Sequence, residues 1–276
     1  MKQLPLEFES RMKSLLGDGY DDFVSSLNAP PVKAFRVNKS KISLEEFEKI
    51  NPFGEEKIPY VEGGYYLDYE KVGNHPFHHA GLIYVQEPAA MAPAECINIK
   101  PNSKVLDMCA APGGKSFSMA LLMENKGEVI SCDIYDHKCE LIKKSANRLG
   151  LDIIKPTVQD GTVYNANLGE FDCVLCDVPC SGLGIIRRKP DIKYKDFSEF
   201  DGLLPIQKAI LNNAKKYVKA GGKMLYSTCT LRKAENEDII NEFLAQNSDF
   251  KLEYSHTFMP HIDGTDGFYS ALLIKN

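Results

Sequence analysis

Apolar and polar positions alternate regularly along the chain from about residue 100 onward. Short apolar runs predict strands at Lys104–Met108, Glu128–Asp133, Ile153–Thr157, Phe171–Val178 and Gly222–Thr228. Amphipathic stretches predict helices at Lys115–Glu124, Asp136–Leu149, Pro205–Lys219 and Lys233–Gln246. Such alternation is typical of an α/β fold with a parallel sheet and right-handed crossovers. Two later extended runs are expected to close the sheet as an antiparallel hairpin, Phe250–Ser255 and Gly267–Ile274.

The first 80 residues follow a different pattern. Residues 5–27 predict two short helices broken at Gly17–Gly19. Their candidate core contacts are Leu6, Phe8, Met12, Leu15 and Leu16. Ser43–Ile50 predicts a further helix, with Ser43 and Glu46 spaced as a capping box. We therefore expect a small α+β N-terminal domain at residues 1–80 and an α/β domain at residues 81–276.

Composition places the chain among ordinary soluble proteins, with 43% hydrophobic and 26% charged residues. The N-terminal MKQLPLEFESRMK has no apolar core followed by small residues, so we do not expect it to be a signal peptide. The most apolar stretch, Ala80–Ile99, is interrupted by charged residues and prolines and is not expected to span a membrane. The expected location is the cytoplasm.

Local charge differs from the net charge of −5. Basic residues cluster in two short segments: Arg187, Arg188, Lys189, Lys193 and Lys195, and Lys33, Arg36, Lys39 and Lys41. Each cluster fits either a solvated face or a contact with phosphates. Charge alone leaves both interpretations open.

The eight cysteines are expected to be free thiols in a reducing compartment. The spacing of Cys173, Cys176 and Cys180 resembles that of zinc ligands. However, the first two lie in a predicted strand, three residues apart, so their side chains point to opposite faces. No second pair follows at finger spacing, and we expect no metal site. Buried structural thiols are the expectation for Cys96, Cys132, Cys139 and Cys173.

A loop of small residues follows the first strand of the α/β region, in VLDMCAAPGGKS. Its members are Cys109, Ala110, Ala111, Pro112, Gly113, Gly114 and Lys115. Small residues let the backbone approach a ligand, and the helix that follows offers free N–H groups. A tight strand-to-helix turn without a ligand is the alternative. The loop is not GxGxxG, which counts against a nicotinamide or flavin dinucleotide.

Acidic residues end the next three strands. Asp133 stands about 20 residues after the glycines, where a carboxylate reaches ribose hydroxyls. Asp160 could accept a hydrogen bond from an adenine amino group, and Asp177 could hold an ammonium group. Each alone could cap a loop. Three on one sheet edge favour S-adenosylmethionine, which combines a ribose, an adenine and an amino-acid tail.

Two cysteines end neighbouring predicted strands, Cys180 in DVPCSG and Cys229 in YSTCT. Either could be a packed thiol. A pair beside a methyl donor suits methylation of cytosine at carbon 5, because that carbon is a poor nucleophile. A thiolate that adds to carbon 6 makes carbon 5 enamine-like.

The sequence resembles the Sun-type RNA (cytosine-5) methyltransferases, and most closely their bacterial ribosomal-RNA branch. The matching segments are DMCAAPGGKS, DVPCSG and YSTCTLRKAENED, with PPVKAFRVN, QEPAAM and GTDGFYSALL elsewhere. The resemblance covers nearly the whole chain, and the pair of cysteines separates this family from the DNA enzymes.

The resemblance implies a Rossmann-like class I S-adenosylmethionine-dependent methyltransferase domain. It assigns Cys229 as the nucleophile that forms a covalent bond to cytosine C6, and Cys180 as the group that assists product release. Residues 109–115, Asp133, Asp160 and Asp177 would hold the cofactor, and Lys115 would also support catalysis. We expect RNA contacts from Arg36, Arg187, Arg188 and Lys189, and a monomer. Related proteins often carry a further RNA-binding segment, so a chain that stops at Asn276 is a short or a truncated member.

Ribosomal RNA is the expected substrate, and transfer RNA is the alternative. A non-catalytic RNA-binding assembly factor of the same fold is a second alternative, which the paired cysteines and three acids disfavour. A small-molecule methyltransferase would need neither the basic segments nor two thiols.

Overall fold

The structure, a computed structural model, describes residues 4–276, so residues 1–3 of the predicted N-terminal domain lie outside the described residues. Its α-helices are α1 (Leu6–Leu16), α2 (Tyr20–Ser26), α3 (Leu44–Ile50), α4 (Pro76–His79), α5 (Pro88–Cys96), α6 (Gly114–Leu122), α7 (Asp136–Leu149), α8 (Phe197–Asp201), α9 (Leu203–Ala214), α10 (Glu237–Gln246) and α11 (Pro260–Asp263). Its 3-10 helices are Gly17–Gly19, Val72–Asn74, Ala166–Leu168, Pro190–Tyr194, Lys215–Tyr217 and Lys233–Glu235. No helix within residues 4–276 is long and apolar enough to cross a bilayer.

The strands form two sheets. They are β1 (Ala34–Val37), β2 (Gly64–Tyr66), β3 (Ile83–Val85), β4 (Lys104–Asp107), β5 (Glu128–Asp133), β6 (Ile154–Val158), β7 (Phe171–Asp177), β8 (Val218–Thr228), β9 (Phe250–Phe258) and β10 (Phe268–Lys275). The larger sheet has the order β6-β5-β4-β7-β8-β10-β9. Its first five strands are parallel, and β10 runs antiparallel to both β8 and β9. The predicted α/β fold with a C-terminal antiparallel hairpin is confirmed.

The largest boundary difference lies between α9 and β8. The predicted helix to Lys219 ends at Ala214, and the strand predicted from Gly222 begins at Val218. Val218 pairs with Phe171, and Lys223 pairs with Cys173, with a register shift between the two pairs. Gly221 and Gly222 therefore lie in a bulge inside β8, although two consecutive glycines are typical of a turn that precedes a strand.

Apolar side chains cover both faces of the larger sheet. Val174 and Cys176 of β7 pack in one core cluster, whereas Cys173 and Leu175 pack in the other. This alternation confirms that Cys173 and Cys176 point to opposite faces. Both are buried, as are Cys132 and Cys139, whereas Cys96 is partly exposed. In a sheet covered on both faces, the carboxyl ends of the parallel strands are the usual place for a ligand.

The N-terminal region contains a three-stranded antiparallel sheet of order β2-β1-β3. Helix α3 begins after Ser43, and the predicted capping box with Glu46 is present. Because β3 pairs with β1, the small sheet extends past the boundary predicted at residue 80. We propose the junction between the two domains after Val85.

Helices α1 and α2 form as predicted, with a 3-10 turn at Gly17–Gly19 between them. Their apolar faces, including Phe8, Met12 and Phe23, pack against the segment that follows β7 rather than against the small sheet. The residues of that segment in the cluster are Leu183, Ile186, Ile192, Phe197 and Phe200. Leu6 is 76% exposed, so the prediction that it contacts this core is wrong. The N-terminal helices thus support the loop that carries Cys180.

Candidate active site

A cleft of about 610 Å³ opens at the carboxyl ends of the parallel strands. Its lining includes Asp133 at the end of β5, Asp160 just after β6 and Asp177 at the end of β7, together with Cys180 and Cys229. Open α/β sheets bind ligands at this edge, and the volume is within the range of small-molecule sites. The structure therefore brings the predicted acids and thiols to one cleft.

The small-residue loop forms one wall of this cleft. Cys109 and Ala111 line it, whereas Ala110, Pro112, Gly113 and Gly114 shape the turn into α6. Gly113 has φ 109°, and an added Cβ would lie 2.3 Å from the ring of Phe117. Glycine is required at this position, so the loop can stay close to the helix below it.

The carboxylates of Asp133 and Asp160 differ in the partners they already have. The carboxylate of Asp133 is nearly buried, accepts a hydrogen bond from the Tyr135 N–H at 3.1 Å and lies 3.6 Å from Lys138 Nζ. Asp160 accepts hydrogen bonds from the backbone N–H and the hydroxyl of Thr162 through one oxygen, Oδ1, at 2.8 and 2.7 Å. Each could still accept a hydrogen bond from a bound ligand, and their cofactor contacts stay predictions.

Asp177 is held on both sides. Lys115 Nζ lies 2.7 Å from Oδ2, and the Ser227 hydroxyl donates to Oδ1 at 2.8 Å. The Lys115 ammonium also lies over the ring of Phe268, 4.7 Å from its centroid. The ion pair therefore fixes Lys115 beside the thiols, and Asp177 has less free acceptor capacity than the sequence suggested.

The two predicted cysteines meet at the centre of the cleft, with their Sγ atoms 3.2 Å apart. The hydrogen bond with Cys180 lowers the pKa of Cys229, and the positive charge of Lys115 acts in the same direction. The same hydrogen bond, together with burial, raises the pKa of Cys180. The pair thus favours a thiolate at Cys229 and a protonated thiol at Cys180, which is the asymmetry that a nucleophile requires.

Sequence reasoning missed three buried polar residues around this pair, Asp107, Gln207 and Glu235. Asp107 ends β4 and accepts a hydrogen bond from Ser116 at 2.7 Å, and burial raises its pKa to about 7. A carboxylate at the end of an apolar strand was a usable signal for Asp107. Gln207 and Glu235 lie in segments that look like exposed helix in the sequence, so no comparable signal pointed to them.

The predicted RNA contacts need correction. Arg36 is buried, and its Nη1 lies 2.5 Å from Glu95 Oε1, so the prediction that it contacts RNA is wrong. The Arg187 side chain is 3% exposed and bonds Asp266 and the Thr265 carbonyl, so that prediction is wrong as well. Both were predicted from charge alone, without knowledge of their buried partners.

Some of the remaining basic residues bond to other protein groups, and others line the cleft or a neighbouring cavity. Arg188 is partly exposed but pairs with Asp266 at 2.5 Å. Lys41 donates to the carbonyls of Ala80 and Arg148, and Lys39 pairs with Glu62. By contrast, Lys189 and Lys195 line the cleft, and Lys193 lines a neighbouring one. Within residues 4–276, no cluster of His, Cys, Asp and Glu is arranged to hold a metal ion.

Two family models match the chain. One, described as 16S rRNA methyltransferase RsmB/F, matches residues 94–274, and the other, the N-terminal domain of 16S rRNA methyltransferase RsmF, matches residues 4–88. The chain is 37% identical to the probable ribosomal RNA small subunit methyltransferase B of Bacillus subtilis, covering 89% of this chain and 60% of that protein. It is 31% identical to the ribosomal RNA small subunit methyltransferase F of Erwinia tasmaniensis, covering 98% and 63%. The chain therefore spans about three fifths of the length of these relatives.

Solved structures agree in fold. A methyltransferase homologue from Pyrococcus horikoshii has a TM-score of 0.86 and 26% identity, covering 97% of this chain and 94% of its own. The crystal structure of NSun6 from Pyrococcus horikoshii with SFG has a TM-score of 0.89 and 22% identity, covering 98% of each chain. The second likeness supports the fold alone.

Proposed function

Because the chain belongs to the RsmB/F family of 16S rRNA methyltransferases, as its motifs predicted, we propose that it methylates carbon 5 of a cytosine in ribosomal RNA. The methyl donor is S-adenosylmethionine, and the protein acts in the cytoplasm as a monomer. The observation that carries the proposal is the thiol pair, Cys180 and Cys229, beside Lys115 in a cleft of cofactor size.

The cleft fits the methyl donor in its chemistry. Asp133 and Asp160 offer acceptors for ribose hydroxyls and an adenine amino group, and the loop at Cys109–Ala111 lets the ligand approach the backbone. Asp177 lies nearest the thiols and is the acid for the amino-acid ammonium group. S-adenosylmethionine, when bound, supplies an electrophilic methyl group.

Cys229 begins the reaction by attacking cytosine C6 with its thiolate. The bond from Sγ to C6 makes C5 nucleophilic. C5 would then take the methyl group as the methyl–sulfur bond of the donor breaks, with S-adenosylhomocysteine as the leaving group. Lys115 supports the thiolate through its positive charge, and Asp177 holds the ammonium of Lys115 in place at 2.7 Å.

Release requires two bonds to break. The proton would leave C5 to a water molecule, and the electron pair of the C5–H bond would restore the C5–C6 double bond as the bond between Cys229 and C6 breaks. Cys180, which keeps its proton while Cys229 is ionised, assists this second stage. The two thiols therefore act in different stages.

RNA reaches the thiols over the segment from Lys189 to Lys195. Lys189, Lys193 and Lys195 have no ion pair in the described part of the chain, and Tyr194 between them is 63% exposed. Lysines contact phosphates, and an exposed ring provides a stacking surface for a base. This segment replaces Arg36 and Arg187 as the proposed contact.

The test is methyl transfer from tritiated S-adenosylmethionine to separate pools of ribosomal and transfer RNA. We expect label in ribosomal RNA, recovered as 5-methylcytosine after digestion, and none with Cys229→Ala. Label confined to transfer RNA would overturn the proposed substrate. Absence of label in both pools with a folded wild-type protein would overturn the activity.

A further inference from the structure

Glu235 is a fully buried carboxylate six residues after Cys229, and the reaction scheme above does not use it. Its Oε2 accepts a hydrogen bond from the Ser181 backbone N–H and another from Gln207 Nε2, each 2.9 Å long. Its Oε1 has no hydrogen bond within residues 4–276, and lies 3.6 Å from Arg232 Nη1. The carboxylate thus bonds the residue next to Cys180.

Gln207 holds the other side of the same cysteine. Its Nε2 donates to the Pro179 carbonyl at 3.0 Å as well as to Glu235. The residues before and after Cys180 are therefore both tied to one buried amide and carboxylate pair. The Ser181 hydroxyl also lies 2.7 Å from the Thr230 hydroxyl, one residue after Cys229.

Burying a carboxylate is costly, and a neutral acceptor could take the same two hydrogen bonds. The negative charge of Glu235 adds a second effect, because it raises the pKa of Cys180. Glu235 thereby holds Cys180 in place and helps to keep its proton on it.

We propose that Glu235 is a positioning residue, which holds the Cys180 thiol against Cys229 through Ser181 and Gln207, and on which product release depends. Glu235 itself does not touch the reacting atoms. The inference rests on the proposed function, since release follows formation of the bond between Cys229 and cytosine C6.

Glu235→Ala removes both hydrogen bonds, whereas Glu235→Gln can keep them, because its amide oxygen can replace Oε2. When a group that takes part in a reaction is displaced by about 1 Å, the reaction rate can fall on the order of a hundredfold. We expect Glu235→Ala to complete a first methyl transfer, to lose turnover by roughly tenfold to a hundredfold, and to accumulate a protein–RNA adduct. Glu235→Gln should restore most of the turnover. The exposed neighbour Asp238→Ala is the matched control.

Adducts are measured by denaturing electrophoresis with labelled RNA, and turnover by tritium transfer. Gln207→Met is a second variant. It removes the hydrogen bond to the Pro179 carbonyl while a side chain of similar size fills the same space, and it should also accumulate the adduct. If Glu235→Ala does not fold, Gln207→Met decides the inference. Adduct levels and turnover equal to those of Asp238→Ala would overturn it.

A readout without RNA separates this inference from the proposed function. Iodoacetamide labelling followed by mass spectrometry should modify wild-type Cys229 before Cys180 at neutral pH, and Glu235→Ala should reduce that preference. If wild-type protein does not methylate RNA, the proposed function fails, and the labelling then decides whether Glu235 positions Cys180. An unchanged preference would overturn the positioning role.

Discussion

Lys115 Nζ lies 2.7 Å from Asp177 Oδ2, which places a partly buried ion pair close enough to Cys229 for both charges to affect its pKa. The lysine favours the thiolate at Cys229, while the carboxylate opposes it. The hydrogen bond with Cys180 is the largest influence on the pKa of Cys229, ahead of burial and of the two charges of the ion pair. The predictions that follow depend on that asymmetry and on the residues around it.

Replacing the two cysteines separately should stop the reaction at different stages. Cys229→Ala has no nucleophile and should show neither methyl transfer nor an adduct. Cys180→Ala keeps the nucleophile and should attack more slowly, because Cys229 loses the hydrogen bond that lowers its pKa. It lacks the group assigned to release, so it should accumulate an adduct that survives denaturing electrophoresis. Cys96→Ala, a thiol outside the cleft, serves as the control. An adduct that forms with Cys229→Ala and disappears with Cys180→Ala would reverse the two roles.

Asp133→Ala should weaken binding of S-adenosylmethionine. A hydrogen bond to a charged group contributes about 1.5–3 kcal/mol, so the dissociation constant should rise by roughly tenfold or more. Isothermal titration calorimetry measures the change. Asp136→Ala removes an exposed acid three residues away and should leave the affinity unchanged. Equal affinities for the two variants would remove Asp133 from the cofactor site.

Neutralising Lys189 and Lys195 to Gln should weaken RNA binding and flatten its dependence on salt. Each lost phosphate contact on a single strand should reduce the salt slope by about 0.7. Cofactor affinity should not change. Lys144→Gln with Lys251→Gln removes the same charge from exposed positions outside the cleft. A salt slope identical to that of this control would show that the segment from Lys189 to Lys195 faces solvent and does not contact RNA.

Arg187→Ala should instead act on stability. It leaves the Asp266 carboxylate, which is 1% exposed, with one partner fewer, and breaking a buried pair costs about 3–5 kcal/mol. Arg188 still bonds Asp266, so the decrease in the free energy of unfolding should lie at or below the lower end of that range. Denaturant unfolding measures it, with Lys144→Ala as the exposed control. A loss under about 0.5 kcal/mol, the size of an ordinary surface substitution, would contradict the buried pairing.

Asp107 should make stability fall as pH rises. Its pKa in the folded protein is about 7, above the ordinary value of 3.8, so the folded state keeps a proton that the unfolded state loses. The stabilising effect is complete below about pH 4 and is lost as pH approaches 7. Asp107→Asn cannot ionise, so its free energy of unfolding should depend less on pH across this range. Parallel curves for this variant and for the exposed Asp152→Asn would contradict the raised pKa.

The sequence could predict most of the α/β domain because its strands are short apolar runs with clear ends. The bounds of Glu128–Asp133 and Asp136–Leu149 agree residue for residue. Cys180 and Cys229 could be placed in one site because parallel strands end at the same edge. Their separation of 3.2 Å depends on packing that no local pattern contains.

Charged residues were the weakest part of the sequence prediction. Arg36 and Arg187 look like parts of basic patches, but their partners Glu95 and Asp266 stand 59 and 79 residues away. Whether an arginine faces solvent depends on such long-range pairs, whereas its immediate neighbours in the sequence say little. Helices α1 and α2 illustrate the same limit, since their apolar faces could be predicted but not the loop that covers them.

Strand β10 has a consequence for how the protein is made. It lies between β8 and β9, although both precede it in the chain, and Tyr269 pairs with Thr228, the residue before Cys229. A ribosome delivers the N-terminal part first, at about 5–20 residues per second. During that interval β8 presents an unpaired edge, which is open to wrong partners. Since β7 already pairs with the other side of β8, the exposed edge is the one beside Thr228, and it stays unpaired until residues 268–275 emerge.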